Sequence, residues 1–281
     1  MTLRYAYNTN GTASHRLDDA LTLMGEAGYD GVALTLDHHH FDPLAPDWEA
    51  RARALRHRLD GLGFGCVIET GARYLLDPRQ KHEPTFVSAT PEGRARRVDF
   101  LKRAVDIGAI LGAEAVSFWG GVPKPGVAAT DAREWLHEGI AAVATYAVEQ
   151  GVVPALEPEP GMIIETVDDF AALTRTIAGL RLALDLGHLL VTGEREPEAA
   201  IREFGPVLGT VSLEDMKRGE HIHLAFGEGD MDVPGCLRSL MAARFEGLVC
   251  VELSRDSHRA DTMIGQSRRQ LEAYEREGAA A

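Results

Sequence analysis

The chain has 281 residues, 45% hydrophobic and 26% charged, and its 29 basic against 43 acidic side chains leave a formal charge of −14. That length suits two ordinary domains or one closed α/β barrel, since barrels run to about 250 residues as a single domain. The acidic balance weighs against nucleic acid, which wants a basic face, and no apolar run approaches the roughly 18–20 residues of a membrane span.

From the start of the chain, a β-type run at residues 3–7 leads to an amphipathic stretch at 16–27, and a second at 32–36 leads to one at 48–62. The pattern repeats with a run at 65–69 and a helix at 93–111, then 115–119 and 131–150, then 152–157 and 167–177. It continues with 181–185 and 196–204, where Pro197 suits a first helical turn, then 209–213 and 233–243, and closes with 249–253 and 260–276. Phrases such as EAGYDGVAL, LGAEAVSF and RFEGLVCVEL each end a helix at a turn and begin a buried strand. No GxGxxG follows an early strand and no Pro/Gly/Ser-rich linker divides the chain. The expected fold is α/β, a (β/α)8 TIM barrel forming one domain over residues 1–281. Segments 70–91 and 120–131 exceed the usual βα connection of about 2–6 residues and follow strands, on the face where barrels place their chemistry. They are read as substrate walls or a lid.

Cys66, Cys236 and Cys250 are too scattered for a disulfide framework or a zinc-finger spacing, and residues 1–7 carry no apolar signal core. A cytoplasmic protein is the expectation.

The late strands end in ligand-type residues: Glu157 and Glu159 in PALEPEPG, Asp185 and His188 in LALDLGH, and Glu252 in CVELSRDSH. One acidic strand end is ordinarily a solvated terminus. Carboxylates closing consecutive buried strands would raise one another's pKa, a cost that a divalent cation removes. His188 stands three residues beyond Asp185, and His221 and His223 share one face of an extended segment. Imidazole with carboxylate suits Mn, Zn, Co or Fe, whereas oxygen alone would favour Mg or Ca. The run DHHHFD at 37–42 is read as a polar loop, because tandem histidines do not all face one ion. Trp119 closes strand four, where an indole suits the apolar face of a sugar. Arg73, Lys81, Lys124 and Arg255 are the cations best placed for an anionic substrate group, Arg255 directly following a ligand-type strand.

This constellation resembles the xylose isomerase-like TIM-barrel superfamily, which holds sugar isomerases and epimerases, inosose dehydratases and an apurinic endonuclease branch. In that family a Glu ends strand five, an Asp in D-x-G-H ends strand six, a His sits on strand seven and a Glu ends strand eight. Glu157, Asp185 with His188, and Glu252 match, and HLAFGEGDMD is similar to the family loop H-x-x-x-G-x-G-x-[IV]-D, with His223 at its histidine. Strand seven departs: the family's V-H-L-K-D reads VSLED, so Ser212 stands at the ligand position. Water, His188, His221 or His223 is expected to fill it. The endonuclease branch carries histidines on strands three and four, where this chain has VIETG and SFWGG.

The resemblance implies a divalent metal ion (Mn, Zn, Co, Fe or Mg) held by Glu157, Asp185, Glu252 and His223, with Glu157 and Glu252 also moving protons. His188, Trp119, Arg255, Glu159 and His221 are the expected substrate contacts. The implied activity is isomerisation or epimerisation of a sugar, keto-sugar or cyclitol through an enediolate, phosphorylated substrates included. A dehydratase or lyase using the same metal and base is the alternative, with a metal hydrolase or a non-catalytic binding barrel behind it. The partner is a small sugar-like molecule rather than nucleic acid or membrane, and a homo-oligomer stays open.

Overall fold

The computed structural model describes residues 2–280. Strands β1 (Arg4–Asn8), β2 (Gly31–Thr35), β3 (Gly65–Glu69), β4 (Ala115–Trp119), β5 (Pro154–Glu157), β6 (Arg181–Asp185) and β7 (Leu208–Leu213) form the wall of a closed parallel barrel. After a two-stranded excursion, β8 (Asp215–Lys217) and β9 (Glu220–Leu224), the wall is completed by β10 (Leu248–Val251), which pairs with both β7 and β1. Helices α1 (Leu17–Ala27), α2 (Trp48–Leu62), α3 (Pro91–Leu111), α4 (Ala129–Glu149), α5 (Val167–Thr174), α6 (Leu186–Thr192), α7 (Pro197–Phe204), α8 (Val233–Ala242) and α9 (Ala260–Ala280) alternate with the strands. The eight-stranded (β/α) barrel read from the sequence is the fold observed. None of the described helices is long and apolar enough to cross a membrane.

Local chemistry sets the element ends. Thr90 accepts from the Gly93 N–H ahead of α3, whose first residue is Pro91, and Thr166 and Asp169 form a reciprocal capping box on α5. Helices α1, α2 and α3 each stop at a left-handed glycine, Gly28, Gly63 and Gly112. The expected helix after strand six appears as α7, but α6 precedes it, because Asp185 caps α6 through the His188 N–H at 3.0 Å. The hairpin β8–β9 was not expected either; it carries HIH on its return strand.

The barrel interior decides where chemistry sits. Residues two apart on a strand face the same way. The lower interior is small and apolar, with Ala6, Ala33, Val67, Leu248 and Cys250 in one cluster and Ala115, Ala155 and Ala183 in another. One pleat further, the same inward rows become Asn8, Thr35, Glu69, Ser117, Glu157, Asp185 and Glu252, all lining one cavity. Packing thus ends and the site begins within a single two-residue step on seven strands.

Beyond β7, Asp215 is 1% exposed and accepts the N–H groups of Gly227 and Gly229 at 2.9 Å and of Met231 at 3.1 Å. A side chain at Gly229 would collide with that carboxylate, and Gly227 is held at a positive φ of 89°, so both glycines of the loop's GEG are required. Asp215→Ala orphans these donors, each worth about 1–3 kcal/mol when buried without a partner. Urea unfolding is expected to register a loss of roughly 3 kcal/mol; a loss below about 0.5 kcal/mol would mean other contacts hold the loop.

Candidate active site

The cavity at the carboxyl ends of the strands has a volume of about 380 Å³. Its floor is acidic. Glu157, Asp185 and His188 present ligand-type atoms within 4.8 Å of one another, as do Glu159, His188 and His221, and separately Asp185, Glu214 and His223.

Asp185 divides its carboxylate between two tasks. Oδ1 accepts the helix-capping N–H of His188, while Oδ2 is buried with no hydrogen-bond partner and lies 3.6 Å from His188 Nε2. His188 in turn is oriented by the backbone: its Nδ1 sits 3.1 Å from the Pro158 carbonyl, which can only accept, so Nδ1 carries the proton. Its Nε2 is hydrogen-bonded to His221 Nε2 at 3.1 Å. Burial and neighbouring His188 lower the His221 pKa to about 4, which keeps that ring neutral. Glu252 meets the floor from the other side, its Oε1 accepting from Asn10 Nδ2 at 2.7 Å.

The carboxylates strain one another electrostatically. Burial raises Glu157 well above the ordinary carboxylate range, helped by Glu159 and Asp185. Glu159 is raised by burial, with His188 pulling the other way. Glu214 is raised by burial and by Asp185. Asp185 goes down despite its burial, because His188 and His223 stand beside it. Burial opposes charge on His223, but Glu214, Glu252 and Asp185 outweigh it and hold the imidazole up to about 10. Without a cation the floor therefore keeps protons. Orphaned buried oxygens on Asp185 and Glu214, beside an unpartnered His223 Nδ1, are a donor set that fits a divalent ion of the imidazole-accepting class.

The wall opposite is aromatic. Trp119 is 6% exposed, with the Arg97 guanidinium 4.3 Å from its ring centre and His82 edge-on at 5.4 Å. Arg97, fully buried, donates to the Thr70 carbonyl at 3.3 Å, and burial lowers its pKa to about 9. His82 is fixed through Nδ1 on the Gly71 carbonyl at 2.6 Å.

Of the residues singled out in the sequence, Glu157, Glu159, Asp185, His188, His221, His223, Glu252 and Trp119 all line this cavity, as do Arg73 and Lys81. Arg255 is exposed and lies outside the lining, and Lys124 pairs with Glu83 at 2.9 Å. Ser212 is buried in register with Asp185 but does not line the cavity. The histidines of segment 37–42 form their own cluster, His38 and His39 around Asp37. Glu214, Asn10 and Arg97 were not anticipated. Glu214 stands two residues beyond Ser212 on the same inward row, and strand alternation alone signals it.

Glu69 closes β3 in the cavity, one oxygen buried without a partner, and burial with the charge of Glu252 raises its pKa to about 8. Its folded-state pKa lies above the unfolded value, so the native state holds an extra proton between about 4.5 and 8 and stability falls as pH rises through that window. In chelator-treated protein, Glu69→Gln is expected to flatten this slope, read from urea midpoints at successive pH; an unchanged slope would assign the proton to other carboxyls.

A family model described as xylose isomerase-like TIM barrel matches residues 21–274. Among solved structures, an L-ribulose 3-epimerase superposes with a TM-score of 0.78 at 18% identity, covering 99% of this chain and 96% of that one. A protein of Sinorhizobium meliloti 1021 gives 0.77 at 21% identity, covering 96% and 97%. A D-allulose 3-epimerase from Methylomonas sp., solved with D-allulose, gives 0.74 at 18% identity, covering 97% of each chain. A search of curated proteins finds no match.

Proposed function

The chain belongs to the xylose isomerase-like TIM-barrel family, and we propose that it is a divalent-metal-dependent isomerase or epimerase of a sugar, keto-sugar or cyclitol. The observation that carries this reading is the placement of Glu157 and Glu252. They end β5 and follow β10, three strands apart in an eight-strand ring, so they address the cavity from nearly opposite sides with Asp185 between them. Taking a proton from one face of a carbon beside a carbonyl and returning one to the other face is served by such a pair. That structures of the same fold include ketose 3-epimerases supports the substrate class.

A bound divalent cation supplies Lewis acidity toward adjacent substrate oxygens. Asp185 and His223, which share one ligand cluster, would hold it, with Glu157 on the other side of Asp185 and Glu252 nearby. Asn10 occupies one oxygen of Glu252 and leaves the other free to accept the proton. Glu157, across the cavity from Glu252 and raised by burial, is the group placed to return it. His221 and Glu159 present polar atoms to substrate hydroxyls, and Trp119, backed by Arg97, offers a flat apolar wall to carbon-bound hydrogens.

A second reading, a dehydratase on a keto-sugar or keto-cyclitol, is favoured by Glu69. A third carboxyl held protonated up to about 8 in the same cavity could pass its proton to a departing hydroxyl. Proton exchange at the substrate carbon in D2O, without loss of water, separates isomerisation from this reaction.

Loss of a positioned acid–base group costs about 10²–10⁴ in rate. With metal content verified, Glu252→Gln is expected to slow exchange at the substrate carbon by at least about 10²-fold, followed by NMR with ketoses and keto-cyclitols. Exchange at the wild-type rate in the loaded variant would move the base elsewhere and overturn the two-carboxylate reading.

A further inference from the structure

Family resemblance places a metal ligand at strand seven, where Ser212 stands on the inward row but is too short to line the cavity. The barrel register shows what replaces it. Ser212 pairs with Asp185 on one side and Cys250 on the other, and the Glu252 N–H donates to the Leu213 carbonyl at 3.1 Å. That ladder carries Glu214, on the inward row of Ser212, to the level of Glu252.

Glu214 is 0% exposed, and neither of its oxygens has a hydrogen-bond partner. Asp185 Oδ2 and His223 Nδ1, both also without partners, lie with it inside a 4.8 Å cluster. His223 Nδ1 is 3.9 Å from Glu214 Oε2, too far for a hydrogen bond and suited to two ligands of one ion. Space for the carboxylate is made by Gly187, where any Cβ would collide with Glu214 Oε1. A glycine that clears room for a buried, unpartnered carboxylate is a built feature. Left bare, such an acid is costly; across two carboxylates and an imidazole, a divalent ion balances charge and satisfies each orphaned atom.

We infer that Glu214 is a metal ligand of this protein, completing with Asp185 and His223 a site displaced toward β7 and the β8–β9 hairpin. This rests on the metal dependence proposed above. The consequence is a division of labour: Glu252, held by Asn10 and outside every compact ligand cluster, is left to proton transfer.

The test uses the full chain stripped with chelator and titrated calorimetrically with Mn2+ and with Co2+, whose visible absorption reports its ligands. Glu214→Leu removes the oxygens while filling the buried space, and Glu214→Gln keeps the shape should the leucine variant fail to fold. Either variant is expected to weaken binding by about 10²-fold or more, beyond the 10- to 100-fold typical of an outer partner, with an altered Co2+ spectrum at saturation. His223→Ala is expected to do the same, and Ser212→Ala to change affinity by less than about threefold. Wild-type affinity in the Glu214 variants, or an unaltered Co2+ spectrum once saturated, overturns the assignment and leaves metal dependence standing. A wild-type chain that binds neither ion overturns the metal-dependent reading itself, and this inference with it.

Discussion

Repulsion among buried carboxylates governs this molecule. Glu69, Glu157, Glu159, Asp185 and Glu252 all open into one cavity, and Glu214 lies buried directly behind it. Unit charges a few ångströms apart in a poorly solvated site cost several kcal/mol, so they cannot all ionise unaided. Protons or a cation must settle the account, and the surroundings show how each is arranged: His188 and His223 beside Asp185, the Asn10 amide on Glu252, and burial that raises Glu157, Glu69 and Glu214. The layer beneath is mostly alanine, valine, leucine and cysteine, and its one hydroxyl, on Thr210, is turned to the Cys250 sulfur rather than to the carboxylates.

Much of this was legible in the sequence, for identifiable reasons. Alternation of β-type and amphipathic runs gives the barrel because each strand is buried on both faces and each helix on one. Carboxylates at strand ends were visible because LALDLGH and PALEPEPG place charge directly after an apolar run. Glu214 was not visible, since alignment to a family pattern fixes attention on Ser212, and the next inward residue becomes informative only when register to Asp185 and Glu252 is known. Arg97 was hidden for another reason. On a helix so rich in arginine it reads as surface charge, and only the fold turns it inward under Trp119. Arg255 erred in the opposite direction: following a ligand-type strand, it points to solvent, because the chain turns after Leu253 and the side chain falls outside the barrel mouth.

The adjacent pair Glu214 and Asp215 shows how closely the site and its frame are joined. Strand alternation sends the first inward, buried behind the cavity, and the second outward, where its carboxylate gathers the N–H groups of Gly227, Gly229 and Met231. That loop is the continuation of β9, the strand that carries His221 and His223. Asp215 and Leu224 pair across the hairpin, so the same acidic residue fixes both ends of the segment that delivers the imidazoles. A swap of histidine for serine on strand seven would, in isolation, remove an imidazole from the floor. Here the imidazole arrives on the hairpin instead, and the oxygen needed beside it comes from the next inward position of the strand. The local geometry of two consecutive acids thus accounts for how the departure at Ser212 is accommodated without loss of a convergent donor set.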